Sequence, residues 1–572
     1  MADGVERDRG AGVVVRVDLP DAVSSAPAVV DVLVMGGGLA GLTCALHLRQ
    51  AHPQLAIRVL ERREGPAPEA THKVGESTVE IGAHYFGEVL GLRDHLRDAH
   101  VRKFGFRFFS SDGRPALDAV QEIGVGRFLS APSYQIDRGI FENHLAERCR
   151  AAGIDLQTGA VVDGVDLSPS ADGDAEPSVV RYVQGGEDRV VRTRWVVDAS
   201  GRAGRLKRQL GLAEDNGHDA NAVWFRTPFR IDVEAWSTDP AWLGRCVAGQ
   251  RWRSTNHLVG DGYWVWLIPL ASGYHSVGIV ADAATHPLAT MNTFERALEW
   301  LQRHQPRLAE ALLDAGVGPA DFAAFRNFSY GCREVFSARR WAITGEAGFF
   351  LDPFYSPGSD FIAITNTYIV ELVSRDLRGQ ALAPAVRAYS RLLRSFYEST
   401  LTLYEGQYGI FGHPEALACK VMWDYTYYWG ILCPIFFQNR LTDLSMFGRI
   451  GAVLMKARAL NEAMQALLRV WAAAGGSRNP ARILDQARLP WFVELNEGLA
   501  GQLDDDERFV ARMSESLDRL EALAAEIVGR AQTSHPLAST WPEAGAALRC
   551  AGREAAPQGA FLSYPEAVPA AA

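Results

Sequence analysis

Three consecutive glycines, Gly36, Gly37 and Gly38, interrupt the chain directly after the apolar run Val29 to Met35, and Gly41 follows three residues later. The run, VVDVLVM, is short and β-branched, as a strand buried in a parallel sheet would be. Leu39 to Gln50 then reads as a helix, and Ala56 to Leu60 as a second strand ending at Glu61. This order is a βαβ unit, which demands a parallel sheet and a right-handed crossover. Each glycine of Gly36-x-Gly38-x-x-Gly41 has one task. Gly36 makes the tight turn, Gly38 lets the backbone approach a pyrophosphate, and Gly41 lets the helix pack closely on the strand. The helix start, with Leu39 and Ala40 in its first turn, offers free N–H groups and a partial positive charge. Glu61, twenty residues beyond Gly41, stands where ribose hydroxyls need an acceptor. A dinucleotide is the expected ligand of this unit.

The chain has 572 residues, too many for one small core, so two or three lobes are expected. Apolar residues at 48% and charged residues at 22% exclude a disordered chain, a fibre and a coiled-coil rod. The net charge of −10 argues against a nucleic-acid binder, which carries a basic surplus. Seven cysteines without a CxxC pair suggest neither a disulfide framework nor a zinc site; no metal is expected, and a reducing cytoplasm is the default location. Met1 to Pro27 is polar and charged and lacks the apolar run of a signal peptide. The most apolar stretch, Tyr425 to Phe436, falls short of the roughly 20 residues of a spanning helix.

Along the chain, 1–28 reads as a flexible tail and 29–400 as the core. Within the core, aromatic and β-branched residues alternate from Ala222 to Val280, which predicts an antiparallel substrate sheet at about 215–325. Helices are expected at Gln135 to Gly153 and Asp360 to Asp376, and buried strands at Val196 to Gly201 and Trp341 to Thr344. Residues 401–548 read as a helical region whose last long helix, Asp504 to Gly529, puts Phe509, Met513, Leu517 and Leu520 on one face. The Ala- and Pro-rich stretch 549–572 reads as a loose tail.

Three segments suggest which dinucleotide is bound. Trp341 to Phe350, WAITGEAGFF, resembles the late FAD motif of the aromatic-hydroxylase superfamily. Val197-Asp-Ala-Ser-Gly-Arg202 resembles its middle motif, and Asp137-Arg138 with Phe141, Glu142 and Leu145 its flavin-facing helix start. The resemblance spans about residues 29 to 380 and implies an α/β, FAD-binding Rossmann-like fold with an antiparallel substrate sheet and a helical C-terminal region. It also implies that Gly345, Glu346 and Arg138 contact FAD, with Glu346 standing where the superfamily more often has Asp. No second GxGxxG follows a strand, so reduced flavin is expected from a separate flavin reductase.

Trp264-Val-Trp266-Leu-Ile268-Pro269 matches WxWxIP, and Phe350-Leu-Asp352-Pro353-Phe-Tyr355-Ser356-Pro357-Gly358 fits FxxPxxSxG. Both resemble signatures of the flavin-dependent halogenases. On a strand, Trp264, Trp266 and Ile268 share one face and form a rigid, water-excluding wall. The resemblance implies that this wall separates flavin from substrate, so that a small oxidant must travel between them. It also implies a halide, chloride or bromide, in the turn before the helix that starts near Ser359. Pro357 lacks an N–H where most relatives have one, so Ser356, Gly358 and Ser359 are the candidate halide ligands.

The remaining candidate is Lys103, in Val101-Arg-Lys-Phe-Gly-Phe106. Alternation would bury Phe104, Phe106 and Phe108 on one strand face and leave Lys103, Gly105 and Arg107 on the other. Lys103 lies 27 residues after Glu76 of Gly75-Glu76-Ser77, a spacing similar to that of the catalytic lysine in the phenol, pyrrole and carrier-tethered halogenases. Lys73, closer to the same motif, is the competing candidate. An ammonium can hydrogen-bond hypohalous acid, and a free amine can form a haloamine; partial burial makes the amine accessible. The tryptophan-specific branch places its lysine where this chain has His84 and a glutamate where it has Tyr355, so the chain departs from that branch twice. His84 reads as a structural helix residue.

Together these expectations describe an FADH2- and O2-dependent halogenase of small-molecule or carrier-protein-bound substrates, with Lys103, Trp264, Trp266 and Glu76 in the reaction site. The alternatives are a flavin monooxygenase hydroxylating an aromatic or polyketide substrate, for which Pro357 speaks, and a non-catalytic flavoprotein. The aromatic-rich stretch Tyr404 to Phe437 reads as a helical core or as a lid over the substrate.

Overall fold

A computed structural model describes residues 28–68, 75–114, 116–169, 176–476, 479, 482–503, 505–534 and 562. Lys73, the first 27 residues and all of the expected C-terminal tail except Leu562 lie outside these. Two eight-stranded sheets organise the chain. The first runs Phe336–Ser337, Trp341–Ile343, Glu187–Asp198, Ala28–Met35, Ile57–Glu61, Asp155–Thr158. From Trp341–Ile343 to Asp155–Thr158 all neighbours are parallel, with a hairpin of Ala160–Asp166 and Ser178–Gln184 branching off Glu187–Asp198. The C-terminal halves of the two central strands, Val32–Met35 and Trp195–Asp198, are buried, as their continuous apolar runs require. The Leu39–Ala51, Arg138–Ala151 and Gly358–Leu377 helices pack on this lobe.

Register then decides where ligands go. Met35 pairs with Asp198, and Asp198 with Ile343, so three strands end side by side. Each ends in a glycine turn that the sequence separates by more than a hundred residues. In parallel α/β sheets, ligands bind outside these carboxyl ends.

The second sheet has the order Asp321–Phe325, Ala220–Thr227, His275–Asp282, Tyr263–Pro269, Thr255–Gly260, Phe106–Phe109, Glu122–Gly124, Ile483–Asp485. It differs from the expected antiparallel sheet in two ways. It draws strands from outside 215–325, and two of its pairings, Thr255↔Phe106 and Ile483↔Glu122, are parallel. Glu122–Gly124 covers the aromatic strand Phe106–Phe109, and the C-terminal region closes the free side of Glu122–Gly124 with the strand Ile483–Asp485. Alternation along Tyr263–Pro269 splits the core. Tyr263, Val265 and Leu267 join a cluster under the Phe294–His304 and Pro306–Asp314 helices, whereas Trp264, Trp266 and Ile268 join the core of the flavin lobe.

The C-terminal region is mainly helical: Pro414–Tyr427, Leu444–Ala473 and Asp506–Ser534 are its long elements. Trp423, Tyr425, Trp429, Phe436 and Phe437 are buried in the same core as the flavin lobe, so this region packs against that lobe. Among the described residues no helix is long and apolar enough to cross a membrane.

Candidate active site

The glycine turn is sterically obligatory. Gly36 has φ +113°, and a Cβ there would stand 2.3 Å from the carbonyl oxygen of Ala199. A Cβ on Gly41 would stand 1.9 Å from the oxygen of Gly36, so helix and strand touch through this residue. Among the described residues the amides of Gly38, Leu39 and Ala40 donate to no acceptor, which leaves them for an anion. Glu61 holds the turn from the next strand: Oε2 accepts from the Gly37 amide at 2.7 Å and Oε1 from the Arg63 amide at 2.9 Å. Each carboxylate oxygen retains a lone pair for a hydroxyl.

The late motif meets the early one. Gly345 has φ +60°, and a Cβ there would lie 2.7 Å from Cβ of Ala40. Glu346 forms an ion pair with Arg202 of the middle motif at 3.5 Å. Asp198 braces that motif, accepting from the amides of Ser200 at 2.9 Å and Leu206 at 2.7 Å. Arg138 opens the Arg138–Ala151 helix, where its guanidinium pairs with Glu142 at 2.6 Å. Gly345→Ala is expected to weaken FAD binding about tenfold, because the left-handed backbone costs an L-residue about 1–2 kcal/mol. A flavin-fluorescence titration measures this.

The tryptophan wall faces the flavin lobe. Trp264 and Trp266 have ring centroids 5.7 Å apart, and Trp264 packs on Phe354 of the second signature at 5.2 Å. Trp266 lies across Gly278, where a Cβ would come within 2.1 Å of its ring. Both indole N–H groups are used: Trp264 Nε1 donates to Tyr408 Oη at 3.3 Å, and Trp266 Nε1 to Ser276 Oγ at 3.1 Å. Tyr408 in turn donates to Asp352 Oδ2 at 2.5 Å, and His218 Nε2 hydrogen-bonds the same oxygen at 2.8 Å.

Lys103 is not on a continuous strand. The Val101–Arg102 strand ends before it, and Gly105, at φ +65°, breaks the alternation expected from Val101 to Phe108. Lys103 therefore shares a side with Phe106, its Nζ 3.5 Å from the ring centroid, where alternation put them on opposite faces. The residue is only 4% exposed. Its Nζ donates to Ser77 Oγ at 2.9 Å and to the Thr78 carbonyl at 3.0 Å, so the Gly75-Glu76-Ser77 motif holds the amine directly. Burial pushes its pKa down to about 7, while Glu80 and Asp360 pull the other way. His257 packs on both sides, its ring 5.5 Å from that of Phe106 and 5.4 Å from that of Trp264.

Glu76 faces away from that amine. Its carboxylate pairs with Arg226 at 2.7 Å, and its carbonyl accepts from the Ile136 amide at 2.6 Å. It anchors the motif, and Ser77 makes the contact with Lys103.

The second signature forms a turn before the Gly358–Leu377 helix. Ser356 adopts φ +52°, a costly conformation for a residue with a side chain. Pro357 occupies the helix N-cap, its carbonyl accepting from the Asp360 and Phe361 amides at 3.0 and 3.1 Å. Among the described residues the amides of Gly358 and Ser359 have no acceptor, and Ser359 Oγ is buried without a partner. Tyr355 donates to Asp424 Oδ2 at 2.8 Å, and Asp424 pairs with the buried Lys420 at 3.0 Å. His84 packs on Phe437 at 4.1 Å, in a structural setting.

Sequence reasoning missed Glu80 and Asp360, two buried carboxyls that raise the pKa of Lys103, and their partners Tyr428 and Trp429. Glu80 lies four residues after Glu76 and Asp360 two after Gly358, and no spacing rule singles them out.

Sheet, turns and cradle define a FAD-dependent oxidoreductase. Residues 29–272 match the FAD binding domain family. A flavin-dependent halogenase of Dictyostelium discoideum is 26% identical over 72% of this chain and 73% of its own length. The 1H-pyrrole-2-carbonyl peptidyl-carrier-protein chlorinase of Pseudomonas fluorescens is 26% identical over 66% and 79%. The crystal structure of halogenase PltM shares the fold, with a TM-score of 0.62 at 17% identity over 88% of this chain and 96% of that one. The chain carries an FAD binding domain and is similar to flavin-dependent halogenases.

Proposed function

We propose that this protein is an FADH2- and O2-dependent halogenase in which Lys103 directs hypohalous acid onto an electron-rich aromatic or activated carbon. One observation supports the reading: a buried lysine, held by Ser77 and Thr78, stands over the Phe106 ring, and His257 packs on both that ring and Trp264. Bound reduced FAD supplies oxygen activation and halide oxidation. The chain supplies the rest. Gly36, Gly38, Leu39, Ala40 and Gly41 hold the pyrophosphate, Glu61 and Glu346 the hydroxyls of ribose and ribityl chain, and Gly345 and Arg138 complete the cradle. The amides of Gly358 and Ser359, with Ser356 beside them, hold chloride or bromide at the helix start. Trp264 and Trp266 exclude water and substrate from the flavin side. The Lys103 amine meets the oxidant either as a hydrogen-bond donor or by forming a haloamine.

The pyrrolyl-carrier-protein relatives favour the carrier-tethered and phenolic branch over the tryptophan branch, as do His84 and Tyr355. A separate reductase would deliver the reduced flavin. The missing N–H of Pro357 favours a second reading, hydroxylation by a flavin monooxygenase.

Incubation with a flavin reductase, bromide and a panel of phenols, pyrroles and indoles tests the choice by mass spectrometry. Bromine in the product supports the halogenase. A single added oxygen atom establishes the monooxygenase, and absence of turnover across free and carrier-bound substrates overturns both.

A further inference from the structure

The segment that holds Lys103 also brings two acids: the amine donates to the carbonyl of Thr78, two residues before Glu80, and the Gly82 amide donates to Asp360, and both carboxyls act on the charge of the amine. Glu80 opens the Glu80–His84 helix, and Asp360 sits in the first turn of the Gly358–Leu377 helix; both are buried. Each is gripped from the C-terminal region. Tyr428 Oη donates to Asp360 Oδ2 at 2.5 Å, and Trp429 Nε1 donates to Glu80 Oε2 at 3.0 Å. The same turn is stapled twice more: the Ile81 amide donates to Tyr428 Oη at 3.1 Å, and the Gly82 amide to Asp360 Oδ1 at 2.8 Å. Tyr428 and Trp429 are consecutive and open a π-helical turn, Tyr428–Leu432, in which the Cys433 amide reaches back to the Tyr428 carbonyl. Pro434 explains that turn. It has no N–H to offer the Gly430 carbonyl, so the ladder widens just before it.

We infer that Tyr428 and Trp429 are positioning residues for Lys103: by donating to Asp360 and Glu80 they keep negative charge beside the amine, so that docking of the C-terminal helices sets its protonation state. The catalytic meaning rests on the role proposed for Lys103; the electrostatic coupling stands without it. A donor aimed at a carboxylate stabilises its charged form, and an anion stabilises a neighbouring ammonium. Both effects grow in a dry, low-dielectric site. Burial pushes Asp360 up to about 7 and raises Glu80, while it pushes Lys103 down to about 7. Without the two donors the carboxyls would take up protons and the lysine would lose one. The other groups that face this cluster are held uncharged by burial: His257 from the sheet, and Tyr404, Tyr425 and Cys433 from the C-terminal helices.

The chain has only five lysines, Lys73, Lys103, Lys207, Lys420 and Lys456, so full-length protein labelled with lysine carrying 13C at Cε gives a readable NMR titration. Lys103→Met assigns the resonance. In Y428F and in W429F the Lys103 midpoint is expected to fall by about one pH unit, and D360N should lower it as well. A midpoint that stays or rises in both aromatic variants overturns the inference, and so does one that moves in D360N but in neither aromatic variant. FAD titration of each variant verifies that it is folded. Bromination by the wild type is scored separately. Shifted midpoints without brominated product would sink the halogenase reading alone, and bromination with unmoved midpoints would sink the positioning role alone.

Discussion

Replacing Lys103 by methionine is expected to lower halogenated product by at least about 10²-fold, the scale on which removal of one preorganised donor usually acts. FAD binding and peroxide release should continue. The reason is positional: Lys103 contacts Ser77, Thr78 and Phe106, and none of the glycines or carboxylates of the dinucleotide cradle. Methionine fills the same buried volume, so the loss reports chemistry and not a cavity. The pH dependence sharpens the test. Burial lowers the lysine to about 7, so the free amine becomes the major form as pH rises through that value. Product formation should therefore show a limb near pH 7 in the wild type, rising with pH where the free amine forms a haloamine and falling where the ammonium donates, and the residual activity of the variant should lack this limb. Normal halogenation by Lys103→Met would remove the lysine from the mechanism.

Arg226→Met is expected to destabilise the protein by about 3–5 kcal/mol, the range for breaking a buried ion pair from one side. Arg226 has no exposed side-chain surface and bridges two carboxylates, Glu76 at 2.7 Å and Asp321 at 2.5 Å. Removing it leaves two buried acids without their cation. Burial already raises the Glu76 pKa, and Arg226 is the strongest influence pulling it back. Urea denaturation measures the loss. R226M combined with E76Q should lose clearly less than the two single variants added together, because the second change removes the charge that the first one strands. Additive losses would show that the pair is not energetically connected. R226M should also impair turnover, since Glu76 precedes the Ser77 that holds Lys103.

The residues that could be recognised from sequence are those whose task is local. Gly36, Gly38, Gly41 and Glu61 act within one βαβ unit, where strand, turn and helix follow each other directly, so spacing alone exposes them. Trp264 and Trp266 share a face because side chains alternate along any regular strand, and that strand is regular. The same reasoning failed at Lys103 because Gly105 adopts a positive φ and resets the alternation. Pattern arguments assume unbroken geometry, and a glycine can end it without changing the apolar pattern on either side. The extent of the sheet was hidden for a different reason. Its edge strand, Ile483–Asp485, lies more than 350 residues from the Glu122–Gly124 strand it pairs with.

The amino-acid order by itself determined the glycine turn of one βαβ unit and the shared face of Trp264 and Trp266, because both follow from local geometry, whereas Lys103 stood out only by a family-like spacing from Glu76. Only the tertiary structure decided what surrounds that lysine. Tyr428 reaches Asp360 across 68 residues and Trp429 reaches Glu80 across 349, contacts that no periodicity encodes. The charge on a buried amine depends on every group within a few ångströms, whatever its place in the chain, and folding alone brings those groups together.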